Sequence, residues 1–109
     1  MPPGKLAAQA GHAFLDAYLR ALDERPADAA AYRAGSHGTK IALIADDLED
    51  LLRARAIAER AGIPSALITD SGHVLRPCFD GRPTITALGL GPAKRSEVRR
   101  ITRHFALVP

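Results

Sequence analysis

Two short apolar runs separated by a capped helical stretch constrain this chain more than any other feature. Lys40-Ile41-Ala42-Leu43-Ile44-Ala45 and Ser65-Ala66-Leu67-Ile68-Thr69 have the length and flanking turn residues of buried strands. Between them, Asp46 or Asp47 stands at a helix N-cap, and Leu48, Leu51, Leu52 and Ala58 recur at helical spacing. Gly62 and then Pro64 end the helix near Ala61. Strand, helix and strand in that order predict a right-handed βαβ unit with parallel strands. The expected fold class is therefore α/β. It would be a three-layer α/β/α sandwich around a small, mixed, mostly parallel sheet with helices on both faces. At 109 residues the chain suits one such domain.

The remaining segments fit around this unit. Pro2, Pro3 and Gly4 lead into an Ala-rich helical pattern from Lys5 to about Leu22, with Leu6, Ala10, Ala13, Phe14, Ala17 and Leu22 on an apolar side. Lys5, Gln9, His12 and Asp16 recur at spacings of four, three and four, along one polar stripe. A second short helix is expected over 27–34, after Pro26. Asp70 to Arg82 reads as a loop, Thr84 to Leu90 as a third strand cut by Gly91-Pro92, and Ser96 to Arg103 as a last helix. Phe105 to Val108 would form a short edge strand. With no Trp, two Tyr and three Phe, the core must be built from Ala, Leu, Ile and Val.

Charge is uneven. The net of +3 resides entirely in the segment 93–109, where Lys94, Arg95, Arg99, Arg100 and Arg103 face only Glu97; the rest of the chain is net −1. Such a segment is either a phosphate-attracting patch or a solvated helix face, and charge alone leaves both open. Cys78 is the single cysteine, so neither an internal disulfide nor a cysteine-based zinc site can form, and a reducing cytoplasm fits best. No apolar run approaches the ~20 residues that span a bilayer, and no membrane association is expected.

Two places could carry chemistry. Lys5 lies at a helix N-terminus, where unpaired N–H groups and the positive dipole end collect anions; it could equally be an ordinary surface lysine. Asp70 follows a strand, the edge at which α/β sheets bind ligands; it could equally cap its own turn ahead of Gly72. His12 lies on the helix stripe and His73 on the loop, while His37 and His104 lie elsewhere. No pair has helical metal-ligand spacing, so neither a metal nor a cofactor is expected. Nucleophile-elbow and phosphate-loop motifs are also missing.

In order along the chain, four blocks resemble one known family. Gly4-Lys5-Leu6-Ala7-Ala8-Gln9-Ala10-Gly11-His12-Ala13 resembles the opening helix of the peptidyl-tRNA hydrolase II family. Lys40 to Ala45 with Leu48-Glu49-Asp50-Leu51 resembles its second strand and following helix. Ala61-Gly62-Ile63-Pro64 through Asp70-Ser71-Gly72 resembles its Gly-x-Pro strand and Asp-Ala-Gly turn. Thr84-Ile85-Thr86 through Gly91-Pro92 resembles its Thr-x-Thr strand and Gly-Pro exit.

This resemblance implies hydrolysis of the ester joining a peptide to the terminal ribose of tRNA, without a metal and as a homodimer in the cytoplasm. It implies Lys5, Asp70 and Thr86 as catalytic residues, with Gln9 and His12 beside them on the helix stripe as substrate-binding residues. His73 and Thr84 belong to the expected substrate-binding set, and Lys94, Arg99 and Arg103 are expected to hold acceptor-stem phosphates. Three departures stand out. Val74 occupies the position of a family threonine, with His73 before it. The stretch 70–84 is longer than in archaeal members. The strand that opens the family, with an Arg-x-Asp-Leu segment, has no counterpart here, so the strands at Ile41 and Thr84 are expected to lack a ladder partner. Alternative readings are a non-catalytic RNA- or protein-binding member of the fold and a hydrolase of a related aminoacyl ester.

Overall fold

The computed structural model describes residues 1–34, 38–70 and 84–109, together with the backbone of 74–75 and 79–80. Helix α1 (Pro3–Glu24) begins with a proline in its first turn, where the missing N–H costs nothing. Helix α2 (Pro26–Ala34) follows after Arg25. Strand β1 is reduced to Leu43–Ile44. Helix α3 (Leu48–Arg60) starts at Asp47, whose side chain accepts from the Asp50 N–H at 2.9 Å. It stops at Gly62, at φ +71°, where the Gly62 and Ile63 N–H groups close back on the Glu59 and Ala58 carbonyls. Strands β2 (Ser65–Asp70), β3 (Val74–Leu75), β4 (Phe79–Asp80) and β5 (Thr84–Leu90) precede helix α4 (Arg95–Thr102) and strand β6 (Ala106–Leu107). The β3–β4 ladder falls where the sequence predicts only loop.

The expected parallel βαβ pairing is not formed. Among the described residues every ladder is antiparallel and two-stranded: β1 with β6, β2 with β5, and β3 with β4. Strand β5 returns beside β2 and zips along it from Ser65↔Leu90 to Asp70↔Thr84. Strand β1 is extended instead by the chain after α4, with Val108 N–H donating to the Ala42 carbonyl at 3.0 Å. Strand order along the chain does not specify who pairs with whom; the long-range return of β5 and β6 does.

The β2–β5 ladder is packed on both sides. A Cβ added at Gly89 would lie 2.1 Å from the Ala13 carbonyl oxygen, so this position faces α1. Its neighbours Leu88 and Leu90 face the other way, into a core of Ala54, Ala58, Ile63 and Ile101 from α3, the turn after it and α4. Helix α1 can approach so closely because its buried row is Gln9, Ala13, Ala17 and Ala21, one residue per turn and mostly methyl-sized. Gln9, on the polar stripe with Lys5, is thus also in the buried row, and Leu22, expected inside, is 45% exposed.

Arg25 ties the far end of α1 to three other elements. Its guanidinium donates to both Glu97 carboxylate oxygens at 2.9 and 2.8 Å, to Asp28 at 3.2 Å and to the Ala61 carbonyl at 3.3 Å. Its hydrogen bonds hold the Glu97 carboxyl below the usual glutamate range, and Glu97 in turn raises the guanidinium further. Between β5 and β1 opens a cleft of about 1970 Å³, floored by residues such as Leu6, Phe14, Leu43, Leu51 and Val98. The strands at its two sides, β1 and β5, share no ladder. No helix of the described residues is long and apolar enough to cross a membrane.

Candidate active site

Lys5 lies in the first turn of α1, next to the end of β2. Its ammonium pairs with the Asp70 carboxylate, the two side chains being only 15% and 22% exposed. One turn further along α1, Gln9 is 4% exposed and accepts a hydrogen bond from the Thr86 hydroxyl. The Ile68 carbonyl oxygen lies 3.4 Å from the same hydroxyl. Thr84 sits opposite Asp70 in the ladder, half-buried.

A register shift creates this cluster. Ile68 is opposite Ala87 and Thr69 is opposite Ile85, so Thr86 is the one residue of β5 without a Cα partner. That is a β-bulge, which bends a strand and re-aims a side chain. Unbroken alternation from Leu88 and Leu90 would send both Thr86 and Thr84 to the α3–α4 face. The bulge resets the alternation, and Thr86 instead meets Gln9 on α1. Thr84 pairs with Asp70, whose carboxylate is on Lys5, so it too turns to the α1 face. Sequence reasoning names these threonines but contains no sign of the bulge.

His12 and Asp16 are exposed and border a shallow groove of about 370 Å³ with Gln9, Thr69 and Asp70. His12 therefore adjoins the cluster, and Asp16 is a neighbour to which sequence reasoning gives no role. His73 lies outside the described residues. Lys94, Arg99 and Arg103 are exposed and stand apart. Glu97, in the first turn of α4, is bonded to Arg25, and 20 residues of helix at 1.5 Å each place that point about 30 Å from Lys5. Gly89 is the other residue missed. An isolated glycine inside a strand is a signal of close backbone approach, and it could have located the α1 contact.

Among the described residues no group of three His, Cys, Asp or Glu is placed to hold a metal ion. The cluster offers instead a carboxylate, an ammonium and a hydroxyl in a partly desolvated corner beside a helix N-terminus. A carboxylate can orient and deprotonate water, and an ammonium can stabilise a developing oxyanion. These are the kinds of group that hydrolysis of an acyl ester uses.

The chain belongs to the family described as peptidyl-tRNA hydrolase PTH2, whose model matches residues 1–108. It is 39% identical to a peptidyl-tRNA hydrolase of Methanopyrus kandleri over 106 residues, covering 96% of this chain and 85% of that protein. A peptidyl-tRNA hydrolase of Halobacterium salinarum is 39% identical over 109 residues, covering 98% and 88%. One of Thermococcus onnurineus is 36% identical over 107 residues, covering 96% and 85%.

Proposed function

We infer that this chain is a peptidyl-tRNA hydrolase, an enzyme that releases tRNA by hydrolysing the ester between a peptide, or an N-blocked amino acid, and the 3′ ribose. The observation that carries the reading is the Lys5–Asp70 pair beside Thr86, in a chain that matches the family model over residues 1–108. In the proposed reaction Asp70 takes a proton from a water as its oxygen bonds to the carbonyl carbon. Lys5 stabilises the resulting oxyanion or the phosphate on the 5′ side of the terminal nucleotide. Collapse of the tetrahedral intermediate breaks the carbon–oxygen bond to the ribose, and Asp70 returns the proton to the departing oxygen. His12 and Thr84 would line the path of the substrate's acyl end and terminal nucleotide.

The tRNA would lie along α1. The start of α4 lies about 30 Å from Lys5, so only a substrate that extends along the helix can meet both places. A stem with its 3′ end at Lys5 would then present backbone phosphates to Lys94, Arg99 and Arg103. The whole chain acts as one catalytic domain in this reading. Its layers are α1, the strands, and α3 with α4. An extended apolar segment in the β1–β5 cleft would join the strands into one sheet. A cytoplasmic enzyme fits this substrate, and a homodimer would cover exposed residues such as Ile44 and Leu107.

The test is release of the acyl group from N-acetyl-aminoacyl-tRNA and from free aminoacyl-tRNA. The wild-type chain should act on the first. Lys5→Ala and Asp70→Ala should each lose about 10²–10³-fold in turnover while their circular dichroism stays native. Full activity in both variants would refute the assignment. Release from the free aminoacyl ester alone would identify the related-ester hydrolase, and no release from either would leave the binding module.

A further inference from the structure

We propose that Gln9 is a positioning residue that consumes the single proton of the Thr86 hydroxyl, so that Thr86 can only accept a hydrogen bond from the reacting groups. Gln9 is one of two buried polar residues described, the other being Ser65, and at 4% exposure it is too enclosed to touch a tRNA phosphate. Its carboxamide oxygen accepts from Thr86, and the second acceptor near that hydroxyl is the Ile68 carbonyl. Both neighbours are therefore acceptors. A threonine hydroxyl carries one donor and two lone pairs, so its proton is committed inward and only its lone pairs remain for the substrate side.

The bulge supports this reading independently. It takes Thr86 out of the ladder and off the α3–α4 face, and the bond to Gln9 is what then determines the rotation of its hydroxyl. An acceptor-only Thr86 cannot hold the ester carbonyl oxygen. It can accept from the attacking water, leaving that water's other proton to Asp70. Thr86 thus orients the nucleophile, Lys5 receives the oxyanion, and Gln9 acts on the reaction only through Thr86. This deepens the hydrolase reading and rests on it.

The experiment compares Gln9→Met, Gln9→Glu, Thr86→Val and the double variant Gln9→Met/Thr86→Val on N-acetyl-aminoacyl-tRNA, with thermal melting of each. Gln9→Met keeps length and removes the acceptor. It should lower kcat about tenfold, the order expected when one orienting hydrogen bond is removed, with KM unchanged. Gln9→Glu keeps an acceptor oxygen and should retain kcat within about threefold, against the same expectation for one bond. The double variant should be no slower than Thr86→Val, because residues acting as a unit are not additive. A raised KM with unchanged kcat in Gln9→Met would show direct substrate contact and overturn the proposal. So would additive losses in the double variant, which remain readable if Gln9→Glu melts too low to assay. A wild-type chain that releases nothing removes the hydrolase reading itself, whereas an active wild type with an unaffected Gln9→Met removes only the role of Gln9.

Discussion

Replacing Gly89 with alanine tests the contact on which the site depends. The added Cβ would lie 2.1 Å from the Ala13 carbonyl oxygen, 2.8 Å from its carbon and 3.0 Å from the Ala17 Cβ. An ordinary carbon–oxygen approach is about 3.3 Å, so α1 and β5 would have to part by about 1.2 Å at this point. The obstructing atoms are mainly helix backbone, which cannot rotate aside. Overpacking typically costs ~1–3 kcal/mol, and a backbone clash belongs at the upper end. For a chain of this size ~3 kcal/mol lowers Tm by roughly 15 °C. Catalysis should suffer separately. Lys5 and Gln9 ride on α1, whereas Asp70 and Thr86 ride on the strands, and a misplacement of 1 Å can cost about 10²-fold in rate. Thermal melting followed by circular dichroism, with acyl release measured at a temperature where the variant is still folded, reads both effects. An unchanged Tm together with full turnover would refute the seating of α1 on β5.

Two further outcomes follow from charge. Arg25 holds the Glu97 carboxyl below its ordinary value of 4.5, so the stabilisation it brings is present above that value and is lost as pH falls through the depressed folded-state value. Glu97→Gln should therefore lower Tm at neutral pH, with the difference vanishing in acid; a difference independent of pH would refute the linkage. Affinity for tRNA should fall steeply with salt, and Lys94→Gln, Arg99→Gln or Arg103→Gln should each reduce the log–log slope by about 1 for each phosphate no longer neutralised. Unaltered slopes in all three would remove α4 from the interface.

Much of the local structure is legible from spacing. The Asp47 cap, the Gly62 stop and the strands at Ser65 and Thr84 stand where the residues place them, because caps and turns are satisfied within a few positions of the chain. Lys5, Asp70 and Thr86 are named through the family blocks, and the structure brings Lys5 to Asp70 and Thr86 to Gln9. Strand pairing is not legible in the same way: a strand–helix–strand pattern is silent on which distant edge closes on which. That Gln9 is the buried member of the polar stripe is not legible for a similar reason. Helical periodicity sorts residues by direction, but the neighbour that approaches decides which direction is inside.

Gln9 and Thr86 divide what the sequence determined from what only the tertiary structure decided. By itself the sequence determined that one sits on a helix and the other on a strand, since helix spacing and strand composition are local properties. Only the packed structure decided that they meet. The bulge that turns Thr86 toward α1, and the close approach that Gly89 permits, arise from pairing β5 to β2 and from pressing α1 against them. Those contacts join residues 77 positions apart, and their geometry depends on how whole surfaces fit rather than on any local pattern.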